Sequence, residues 1–482
     1  MATGSERAQL AVIGGGPGGY PAAFLAADLG MDVLLIDQEE HPGGVCLHRG
    51  CIPSKALLHA ARVIRESAEA AEMGVAFGAP AVDVMRLRAW KASVVSRLVR
   101  GLSQLRDGRR IRHVRGRAVL TGRHSLAVRE EGGGDRRVEF ERAILATGSR
   151  PAALPGVKLG PPLAIDSTGA LELADVPGRL LVVGGGYIGL ELGTVYAALG
   201  SRVTVVEMLP ALLPGADADL VRPLAARLRK RFESVRLETR VESLVEAGGR
   251  ARAVLLGKDG ARAEEDFDRV LVAIGRRPNT EGIGLDKAGV ETDGRGFVRV
   301  DAQRRTSEPA IYAVGDVAGE PMLAHKATHE ARVAVEAIAG RKSAAFAPRA
   351  IPAVVFTDPE IAWCGLTETQ AAKDGAPHRV VRFPWSASGR ALTLGRTEGV
   401  TKLLVHPESG RVLGVGLAGV GAGDLIGEAV VAMEMGATAE DLALSIHAHP
   451  TLSETIMEAG ELFAGHTTHL PPAKGRGDAD PR

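Results

Sequence analysis

One pattern of apolar and polar positions occurs twice along the chain, over residues 9–37 and again over residues 179–207. Each copy begins with an apolar run rich in β-branched residues, continues through a glycine-rich turn and a stretch of small residues, and ends with a second apolar run and an acid. Apolar runs bounded by turn residues are typical of buried parallel strands, and the stretch between them predicts a helix. The chain therefore contains two βαβ units, which predict two doubly wound domains.

The pattern outside these units predicts how the rest of the chain is organised. Two further apolar runs, over residues 142–151 and 269–279, end in similar turns, and we expect each to close one unit. Residues 297–319 predict several strands that end in a Gly-Asp turn, and a helix is expected over residues 325–339. From residue 348 onward, alternating strands and helices predict a separate α+β domain.

The fold class that this organisation predicts is α/β, with two Rossmann-like dinucleotide-binding domains and a C-terminal α+β domain. A length of 482 residues also favours several domains over one. The terminal dozen residues are polar and rich in Pro and Gly, which predicts a disordered tail. The expected boundaries are residues 1–150 for the first domain, 151–278 for the second, 279–347 for a segment completing the first, 348–470 for the C-terminal domain and 471–482 for the tail.

The charge balance and the cysteine count narrow the class of protein. Lys and Arg total 59 and Asp and Glu total 58, so we expect neither nucleic acid nor an anionic membrane as the main partner. Three cysteines in so long a chain do not make a secreted disulfide scaffold, and they predict a cytoplasmic protein. The first strand follows the N-terminus almost at once, so we expect no signal peptide.

One apolar stretch, residues 180–200, is long enough to span a bilayer and carries a single charge, Glu191. Its three consecutive glycines and its central carboxylate favour a buried strand, a tight turn and a helix instead. We therefore expect no membrane span.

The first glycine-rich turn predicts a dinucleotide site. Gly14, Gly16 and Gly19 form GxGxxG between a strand and a helix. In such a turn the first glycine allows the bend, the second lets a pyrophosphate approach the backbone, and the third packs the helix on the strand. Asp37 ends the following strand, where a carboxylate can bind ribose hydroxyls.

The second glycine-rich turn predicts a site for NAD in preference to NADP. Gly184, Gly186 and Gly189 repeat the spacing, and Glu207 ends the following strand. A carboxylate there suits the free ribose hydroxyls of NAD and repels the extra phosphate of NADP. Two dinucleotide sites in one chain suggest an electron relay between a resident flavin and a diffusing nicotinamide.

Cys46 and Cys51, which have four residues between them, could be a zinc half-site, a structural staple or a redox pair. Structural zinc needs four ligands, and the chain has no second cysteine pair and only His48 between the two thiols. A staple across so short a loop adds little stability. The stretch after Cys51 predicts a helix, whose N-terminus favours a thiolate, as do Arg49 and Lys55. We therefore favour a redox pair and expect no metal.

A further candidate constellation is the octapeptide HAHPTLSE, over residues 447–454. His449 and Glu454 can pair, with the carboxylate orienting the imidazole. Thiol–disulfide exchange needs a base that makes a thiolate at neutral pH, and histidine suits that role. A structural histidine before Pro450 is the alternative, and the residues alone leave it open.

Together these motifs resemble those of the flavin-dependent pyridine nucleotide–disulfide oxidoreductases and, within that family, of the dihydrolipoyl dehydrogenases. The resemblance extends from about Leu10 to Leu470. It includes the cysteine stretch, the duplicated units and HAHPTLSE, together with three further segments over residues 313–327, 357–368 and 383–391. The C-terminal domain would then be a dimerisation domain.

The resemblance implies two sets of binding residues and a pairing of Glu191 with Lys55. For FAD, tightly bound with one per subunit, it implies Gly14, Gly16, Gly19, Asp37, Lys55, Gly116, Thr147, Gly148, Ser149, Asp316, Met322, Leu323, Ala324 and His325. For NAD it implies Gly184, Gly186, Tyr187, Ile188, Gly189, Glu191, Glu207, Val241 and Gly275.

The reaction that the resemblance implies is the oxidation of protein-bound dihydrolipoamide to lipoamide, with reduction of NAD⁺ to NADH. His449, supplied by the other subunit of a homodimer and oriented by Glu454, would take a thiol proton. The substrate thiolate would attack Cys46 in the Cys46–Cys51 disulfide and leave Cys51 as a thiolate beside the flavin. The implied partners are lipoyl domains, carried by the acyltransferase of a 2-oxo acid dehydrogenase complex or by the glycine cleavage carrier protein.

The chain also departs from the family at several positions. Val45 and His48 stand where many members have Thr and Asn, and we hypothesise that His48 and Arg49 make the surroundings of the dithiol more positive. Tyr187 stands where Ile or Val is common, and it either gates the nicotinamide pocket or fills space.

Two other functions stay open at this point. A glutathione-reductase-like enzyme would share the cysteine spacing, although Glu207 disfavours NADP and His447 matches the lipoyl enzymes. A non-catalytic docking subunit of a large complex is the second, and the presence of every implied catalytic residue disfavours it.

Overall fold

A computed structural model of the chain describes residues 6–131, 133–157 and 159–471. The strands in these ranges are β1 (Glu6–Ile13), β2 (Val33–Asp37), β3 (Arg112–Gly122), β4 (Ser125–Glu130), β5 (Asp135–Leu145), β6 (Ser149–Pro151), β7 (Ala164–Ile165), β8 (Arg179–Val183), β9 (Arg202–Val206), β10 (Ser234–Arg236), β11 (Thr239–Ala247), β12 (Arg250–Gly257), β13 (Arg262–Phe267), β14 (Arg269–Val272), β15 (Arg276–Pro278), β16 (Ile311–Ala313), β17 (Ala353–Val355), β18 (Glu360–Gly365), β19 (Arg379–Pro384), β20 (Val400–Val405) and β21 (Val412–Gly419). The helices are α1 (Gly19–Asp28), α2 (Gly44–Arg49), α3 (Cys51–Glu69), α4 (Val84–Gly108), α5 (Ser167–Glu172), α6 (Tyr187–Ala198), α7 (Ala218–Arg231), α8 (Leu285–Ala288), α9 (Ala324–Ile338), α10 (Glu368–Asp374), α11 (Gly389–Thr393), α12 (Ala422–Met435), α13 (Ala439–Leu444) and α14 (Glu454–Ala464). Short 3₁₀ turns occupy Ala70–Met73, Gly315–Ala318 and Trp385–Ala387.

The first βαβ unit forms the centre of a parallel sheet. β1 pairs in parallel with β2 on one side and with β5 on the other. β3 extends the sheet beyond β2, β16 extends it beyond β5, and β4 pairs antiparallel with both β3 and β5. The small residues of α1 and α9 pack on one face of this sheet against Leu10 and Val12. The carboxyl ends of β1, β5 and β16 therefore lie at one edge, where doubly wound sheets bind their ligands.

The second βαβ unit forms a parallel sheet of its own, in the order β10-β9-β8-β14-β7. The buried side chains of α6 and α7, such as Leu190 and Leu224, pack with those of β8 and β9 in one core. Leu57 and Leu58 of α3 belong to the same core, so α3 of the first unit packs against the second unit. Residues of both units can therefore contribute to a site where α3 meets the second unit.

The C-terminal unit is a five-stranded antiparallel sheet in the order β17-β18-β21-β20-β19, covered by α12, α13 and α14. The predicted fold class, with two doubly wound units followed by an α+β unit, is confirmed. β16 and α9, which follow residue 279 in sequence, belong to the first sheet and its covering layer. The boundaries expected between the domains stay predictions.

The sequence overestimates strand content over residues 297–319. Of this segment only β16 is a strand, and the pairs Thr292–Val298 and Arg305–Tyr312 are isolated bridges. The Asp301 carboxylate accepts the N–H groups of Gln303 and Arg305 at 2.8 and 2.9 Å, which bends the backbone away from extended pairing. The tail expected over residues 471–482 lies outside the described residues except for Pro471.

The apolar stretch over residues 180–200 forms most of β8, a turn and α6, as predicted. Of the helices in the described ranges, none combines the length and the apolar character needed to cross a membrane.

A buried lysine joins the second unit to the C-terminal unit. The Lys402 side chain, on β20, is 1% exposed and donates to Asp217 at 2.8 Å, Asp219 at 3.0 Å and Glu368 at 2.7 Å. Burial alone lowers the pKa of Lys402, but the hydrogen bonds that it donates to the three carboxylates outweigh that effect and raise it. Arg382 adds a second cation beside Asp219 and Glu368.

We expect Lys402→Met to destabilise the protein by about 3–5 kcal/mol, because it leaves several carboxylates facing one another in a buried site. Chemical unfolding followed by circular dichroism measures this loss. Lys258→Met is the matched control, since Lys258 is 75% exposed and pairs only with Glu238 among the described residues, so its removal should leave the unfolding transition almost unchanged. Equal losses in the two variants would contradict the prediction.

Candidate active site

Sixteen of the predicted site residues line one cavity of about 650 Å³ at the carboxyl ends of β1, β5 and β16. The cavity continues between α2, α3 and the start of α6, so it lies between the first and second units. The predicted residues that line it are Gly14, Gly16, Asp37, Cys46, Cys51, Lys55, Gly116, Thr147, Gly148, Ser149, Tyr187, Ile188, Glu191, Asp316, Met322 and Ala324.

The first glycine turn has the shape that a dinucleotide needs. A Cβ atom on Gly14 would lie 2.2 Å from the Ala146 carbonyl oxygen, so no larger residue fits there. A Cβ on Gly16 would meet only Gly44, at 3.9 Å, and would otherwise point into the cavity. The middle glycine therefore leaves a cradle that an approaching pyrophosphate can occupy.

The second glycine turn repeats this geometry. A Cβ on Gly184 would lie 2.4 Å from the Ala273 carbonyl oxygen, and one on Gly189 would lie 2.3 Å from the Gly184 carbonyl oxygen. A Cβ on Gly186 would contact nothing within 4 Å among the described residues. This turn therefore also presents one glycine to open space at the N-terminus of a helix, α6.

The acid after each unit braces its own glycine turn. The Asp37 carboxylate accepts the N–H of Gly15 and, at 2.7 Å, the N–H of Glu39. Glu207 accepts the N–H of Gly185 at 2.6 Å and that of Leu209 at 2.8 Å. Each carboxylate is thus fixed at the end of its strand beside the open glycine, where a ribose would lie.

Some predicted binding residues lie away from the cavity. Leu323 and His325 alternate with the cavity-lining Met322 and Ala324, and the His325 ring instead contacts the Pro352 carbonyl at 2.7 Å. The remaining predicted nicotinamide residues are on the second unit outside the cavity lining. They are Gly184, Gly186, Gly189, Glu207, Val241 on β11, and Gly275, whose carbonyl accepts the Ala152 N–H at 3.0 Å.

The dithiol is built from two consecutive helices. Cys46 lies in α2, and Cys51 is the first residue of α3, with Gly50 between them as the cap of α3. A Cβ on Gly50 would lie 2.8 Å from the Val45 carbonyl oxygen, so glycine lets the two helices approach. Cys46, Cys51 and Cys364 have free thiols in this structure, and the disulfide between Cys46 and Cys51 stays a prediction.

The two thiols of the pair differ in acidity. A hydrogen bond from Cys46 lowers the pKa of Cys51 to about 7, against the opposing effect of burial, and Lys55 lowers it further. The same hydrogen bond, together with burial, raises the pKa of Cys46. Cys51 is therefore the thiol of the pair that ionises first, and Cys46 keeps its proton.

Lys55 and Glu191 form an ion pair beside the dithiol. The Lys55 Nζ lies 2.8 Å from Glu191 Oε2, and the Glu191 side chain is 4% exposed. The pairing explains why the apolar run over residues 180–200 contains one charge. Phe356, which sequence reasoning missed, donates its N–H to Glu191 Oε1 at 2.9 Å.

The positive residues near the dithiol are largely engaged. The Arg49 guanidinium pairs with Glu39, and the His48 Nε2 lies 3.1 Å from the His41 carbonyl oxygen. Glu39 therefore offsets the charge that Arg49 was expected to add. Tyr187 lines the cavity and is 41% exposed, and burial of its hydroxyl raises its pKa to about 12.

The edge of the cavity near β16 contains a polar network that includes Arg276 and Asn279, two cavity-lining residues that sequence reasoning missed. The Asp316 carboxylate accepts the Ser149 hydroxyl at 2.5 Å, and Ser149 Oγ accepts Arg276 Nε at 2.7 Å. Thr147 and Asn279 exchange two hydrogen bonds of 2.9 Å. The matching ends of β5 and β14 were the sequence signal for this network, since they placed residues 147–149 and 276–279 after equivalent strands.

His449 and Glu454 pair, but away from their own chain's cavity. His449 Nδ1 lies 2.9 Å from Glu454 Oε1, and the N–H of Thr451 donates to Glu454 Oε2 at 2.7 Å. Burial raises the pKa of Glu454, but the bonds from Thr451 and His449 outweigh it, and the pKa is lowered. The His449 side chain is 74% exposed, and neither residue is among the described residues that line the cavity.

Within the described ranges, no group of three or more His, Cys, Asp or Glu side chains is arranged to hold a metal ion. The chemistry that the geometry supports is therefore built from the dithiol, the ion pair and the two glycine cradles.

Two sequence families match this chain. Residues 8–331 match the family described as pyridine nucleotide-disulphide oxidoreductase, and residues 351–460 match its dimerisation domain. Among curated proteins, the dihydrolipoyl dehydrogenases of Vibrio cholerae and Haemophilus influenzae are each 47% identical over 470 residues, which cover 98% of this chain and 98% of each relative. The dihydrolipoyl dehydrogenase of Thermus scotoductus is 46% identical over 463 residues, covering 96% and 98%.

Solved structures share the whole architecture. LpdA from Mycobacterium tuberculosis superposes with a TM-score of 0.87 at 27% identity, and the alignment covers 95% of this chain and 99% of that one. The Cu(II) complex of the HOCl-induced flavoprotein disulfide reductase RclA from Escherichia coli superposes with a TM-score of 0.84 at 29% identity and the same coverage.

Proposed function

This chain belongs to the pyridine nucleotide–disulphide oxidoreductases, and we propose that its reaction is the oxidation of dihydrolipoamide carried on a separate lipoyl-bearing protein. It is an FAD- and NAD-dependent oxidoreductase. Identity over almost the full length with dihydrolipoyl dehydrogenases supports the substrate. The observation that carries the chemistry is the dithiol of Cys46 in α2 and Cys51 at the start of α3, one helical turn before Lys55 of the Lys55–Glu191 ion pair.

The residues present fit the two cofactors. We assign FAD to the cavity, with Gly16 and Asp37 at its pyrophosphate and ribose and Asp316 at its ribityl chain. We assign NAD to the second unit, with Gly186 and Glu207 in the corresponding places. Bound together, these groups supply two-electron transfer from a dithiol to a nicotinamide.

The substrate step is thiol–disulfide exchange at Cys46. A thiolate of dihydrolipoamide attacks the Cys46 sulfur, the bond between Cys46 and Cys51 breaks, and Cys51 leaves as a thiolate that Lys55 stabilises. The second substrate thiol then attacks the substrate sulfur of the mixed disulfide and releases Cys46 as a thiol. The substrate loses two electrons and the cysteine pair gains them.

The base for this step is His449 in our proposal. Glu454 holds Nδ1, so Nε2 is the nitrogen that takes the substrate proton and passes it on to Cys46. The exposure of His449 and its distance from its own cavity support donation by a second copy of the chain. The C-terminal unit is a dimerisation domain, and its Leu444 and Ile446 beside this histidine are 74% and 100% exposed in the single chain.

The partners that we propose are lipoyl domains, either of an acyltransferase or of a glycine cleavage carrier protein. The low cysteine count supports a cytoplasmic setting. The alternative of a glutathione-reductase-like enzyme is disfavoured by Glu207. Its carboxylate accepts the Gly185 N–H at the place where an NADP phosphate would need a cation. The docking-only alternative is set aside because the chain is an oxidoreductase.

Anaerobic titration of the holoenzyme with dihydrolipoamide, NADH and NADPH tests the proposal through the visible spectrum of the flavin. We expect rapid reduction by dihydrolipoamide and by NADH and slow reduction by NADPH. Reduced glutathione serves as the matched thiol control and should leave the spectrum unchanged. Fast reduction by NADPH without any response to dihydrolipoamide would overturn the assignment.

A further inference from the structure

One residue of the C-terminal unit reaches the dithiol site of its own chain. Phe356 follows β17, and its N–H donates to Glu191 Oε1 at 2.9 Å. The face of its ring lies 4.5 Å from Lys55 Nζ. Lys55 lies on α3 and Glu191 on α6, so one residue from each of the three units meets at this point.

Packing alone does not account for this aromatic ring. Phe356 is 37% exposed, and it is absent from the hydrophobic clusters formed by the described residues. A Cβ on Gly423 would lie 3.4 Å from the ring edge, so Phe356 also faces α12, but two of its contacts are with the charged groups of an ion pair. An aromatic face attracts an ammonium group, and a backbone N–H stabilises a carboxylate that is otherwise cut off from water.

The two contacts leave the ion pair little freedom. Glu191 uses Oε2 for Lys55 and Oε1 for the Phe356 N–H, so both oxygens of a nearly buried carboxylate are engaged. Lys55 has Glu191 on one side and the Phe356 ring on another. The ammonium group is therefore held at one place relative to α3 rather than moving with a flexible side chain.

The place of that ammonium group matters because Lys55 lies one helical turn after Cys51, on the same face of α3. The ionisable groups around the Cys51 sulfur are Cys46 from α2, Lys55 from α3, and Glu191 and Tyr187 from α6. Lys55 favours the Cys51 thiolate and Glu191 opposes it. A displacement of the Lys55–Glu191 pair relative to the Cys51 sulfur therefore changes how strongly the Cys51 thiolate is stabilised.

We propose that Phe356 is a positioning residue of the dithiol site, which fixes the Lys55–Glu191 pair where the ammonium group stabilises the thiolate of Cys51. The C-terminal unit thereby has a second role in the reaction, in addition to supplying a base to the partner subunit. Ionisation of the Cys51 thiol can be measured without lipoamide. The inference therefore rests on the proposed function only where it concerns turnover of dihydrolipoamide.

The test uses holoenzyme in which Cys46→Ser leaves Cys51 as the thiol of the cavity. The pH dependence of the iodoacetamide reaction at Cys51, located by mass spectrometry, gives the midpoint of thiolate formation. We expect Phe356→Leu to raise this midpoint by about 0.4–0.7 pH unit, because the ring no longer holds the ammonium group. Phe356→Tyr keeps the ring and should leave the midpoint within about 0.1 pH unit of the parent.

Two controls separate positioning from a general structural effect. Phe77→Leu makes the same substitution at a 64% exposed phenylalanine between α3 and α4, and should not move the midpoint. Adding Lys55→Gln should make Phe356→Leu silent, since the ring then has no ammonium group to hold. The proposal is overturned by an unmoved midpoint in Phe356→Leu, by an equal shift in Phe77→Leu or Phe356→Tyr, or by a shift that persists with Lys55→Gln.

Failure of the proposed function gives a different result. If the Cys46→Ser series gives the expected midpoints but the wild-type enzyme does not respond to dihydrolipoamide, the role of Phe356 is retained and the substrate assignment is lost.

Discussion

Replacing Cys46 or Cys51 with Ser is expected to reduce lipoamide-dependent formation of NADH by roughly three orders of magnitude or more. A serine hydroxyl at either position cannot form the disulfide that the substrate thiolate opens. The two glycine cradles are untouched, so both variants should still bind FAD and oxidise NADH with an artificial acceptor. Steady-state assays of the two activities, side by side, separate loss of the dithiol from loss of the fold.

Cys364→Ala is the matched control for these variants. Cys364 lies on β18 with its sulfur 3.7 Å from that of Met433, and burial raises its pKa to about 12, so its thiol is inert. We expect this variant to keep nearly all of its lipoamide activity. A Cys46 variant with the activity of the Cys364 control would remove the dithiol from the mechanism.

Replacing His449 with Gln should lower kcat for dihydrolipoamide about 10²–10⁴-fold, because the base that we propose for the substrate proton is lost. Reduction of the flavin by NADH should be little affected, since that half-reaction needs no proton transfer to this histidine. Glu454→Gln should have a smaller effect on kcat, because the amide still contacts Nδ1 but no longer carries a charge that stabilises the protonated ring. Stopped-flow measurement of the two half-reactions distinguishes these outcomes.

Mixing two inactive variants tests which subunit provides the base. In a dimer of one Cys46→Ser chain and one His449→Gln chain, the second chain has an intact dithiol and receives His449 from the first. Random exchange of subunits should therefore restore roughly one quarter of wild-type activity. Restoration fails if each chain uses its own histidine, because every site then lacks one of the two residues.

Local sequence was sufficient for the features that depend on neighbouring residues. Gly14, Gly16 and Gly19 lie within one turn, and Asp37 follows on the next strand of the same unit, so spacing alone places them together. Cys51 likewise lies at the start of a helix that its own following residues specify. His449 and the Glu454 that pairs with it lie five positions apart, so this pairing needed no knowledge of the fold.

Contacts between segments that are far apart in the sequence could not be predicted from local spacing. Phe356 meets Glu191 across 165 positions, and Lys402 meets Asp217 across 185, so neither pairing leaves a periodic or spacing signal in the sequence. Residues 297–319 contain enough β-branched and aromatic residues to suggest strands, yet the turn held by Asp301 decides their structure. There a local hydrogen bond from the backbone to a side chain overrides strand propensity.

The carboxylate of Glu207 has a consequence for attempts to engineer cofactor preference. An arginine at position 207 would supply a cation for the phosphate of NADP, but it would also remove the acceptor that Gly185 and Leu209 share. Conversion by that single exchange would therefore loosen the loop to which we assign the nicotinamide nucleotide. A successful redesign keeps Glu207 as the internal brace and places the new cation further along the loop, at the exposed Met208.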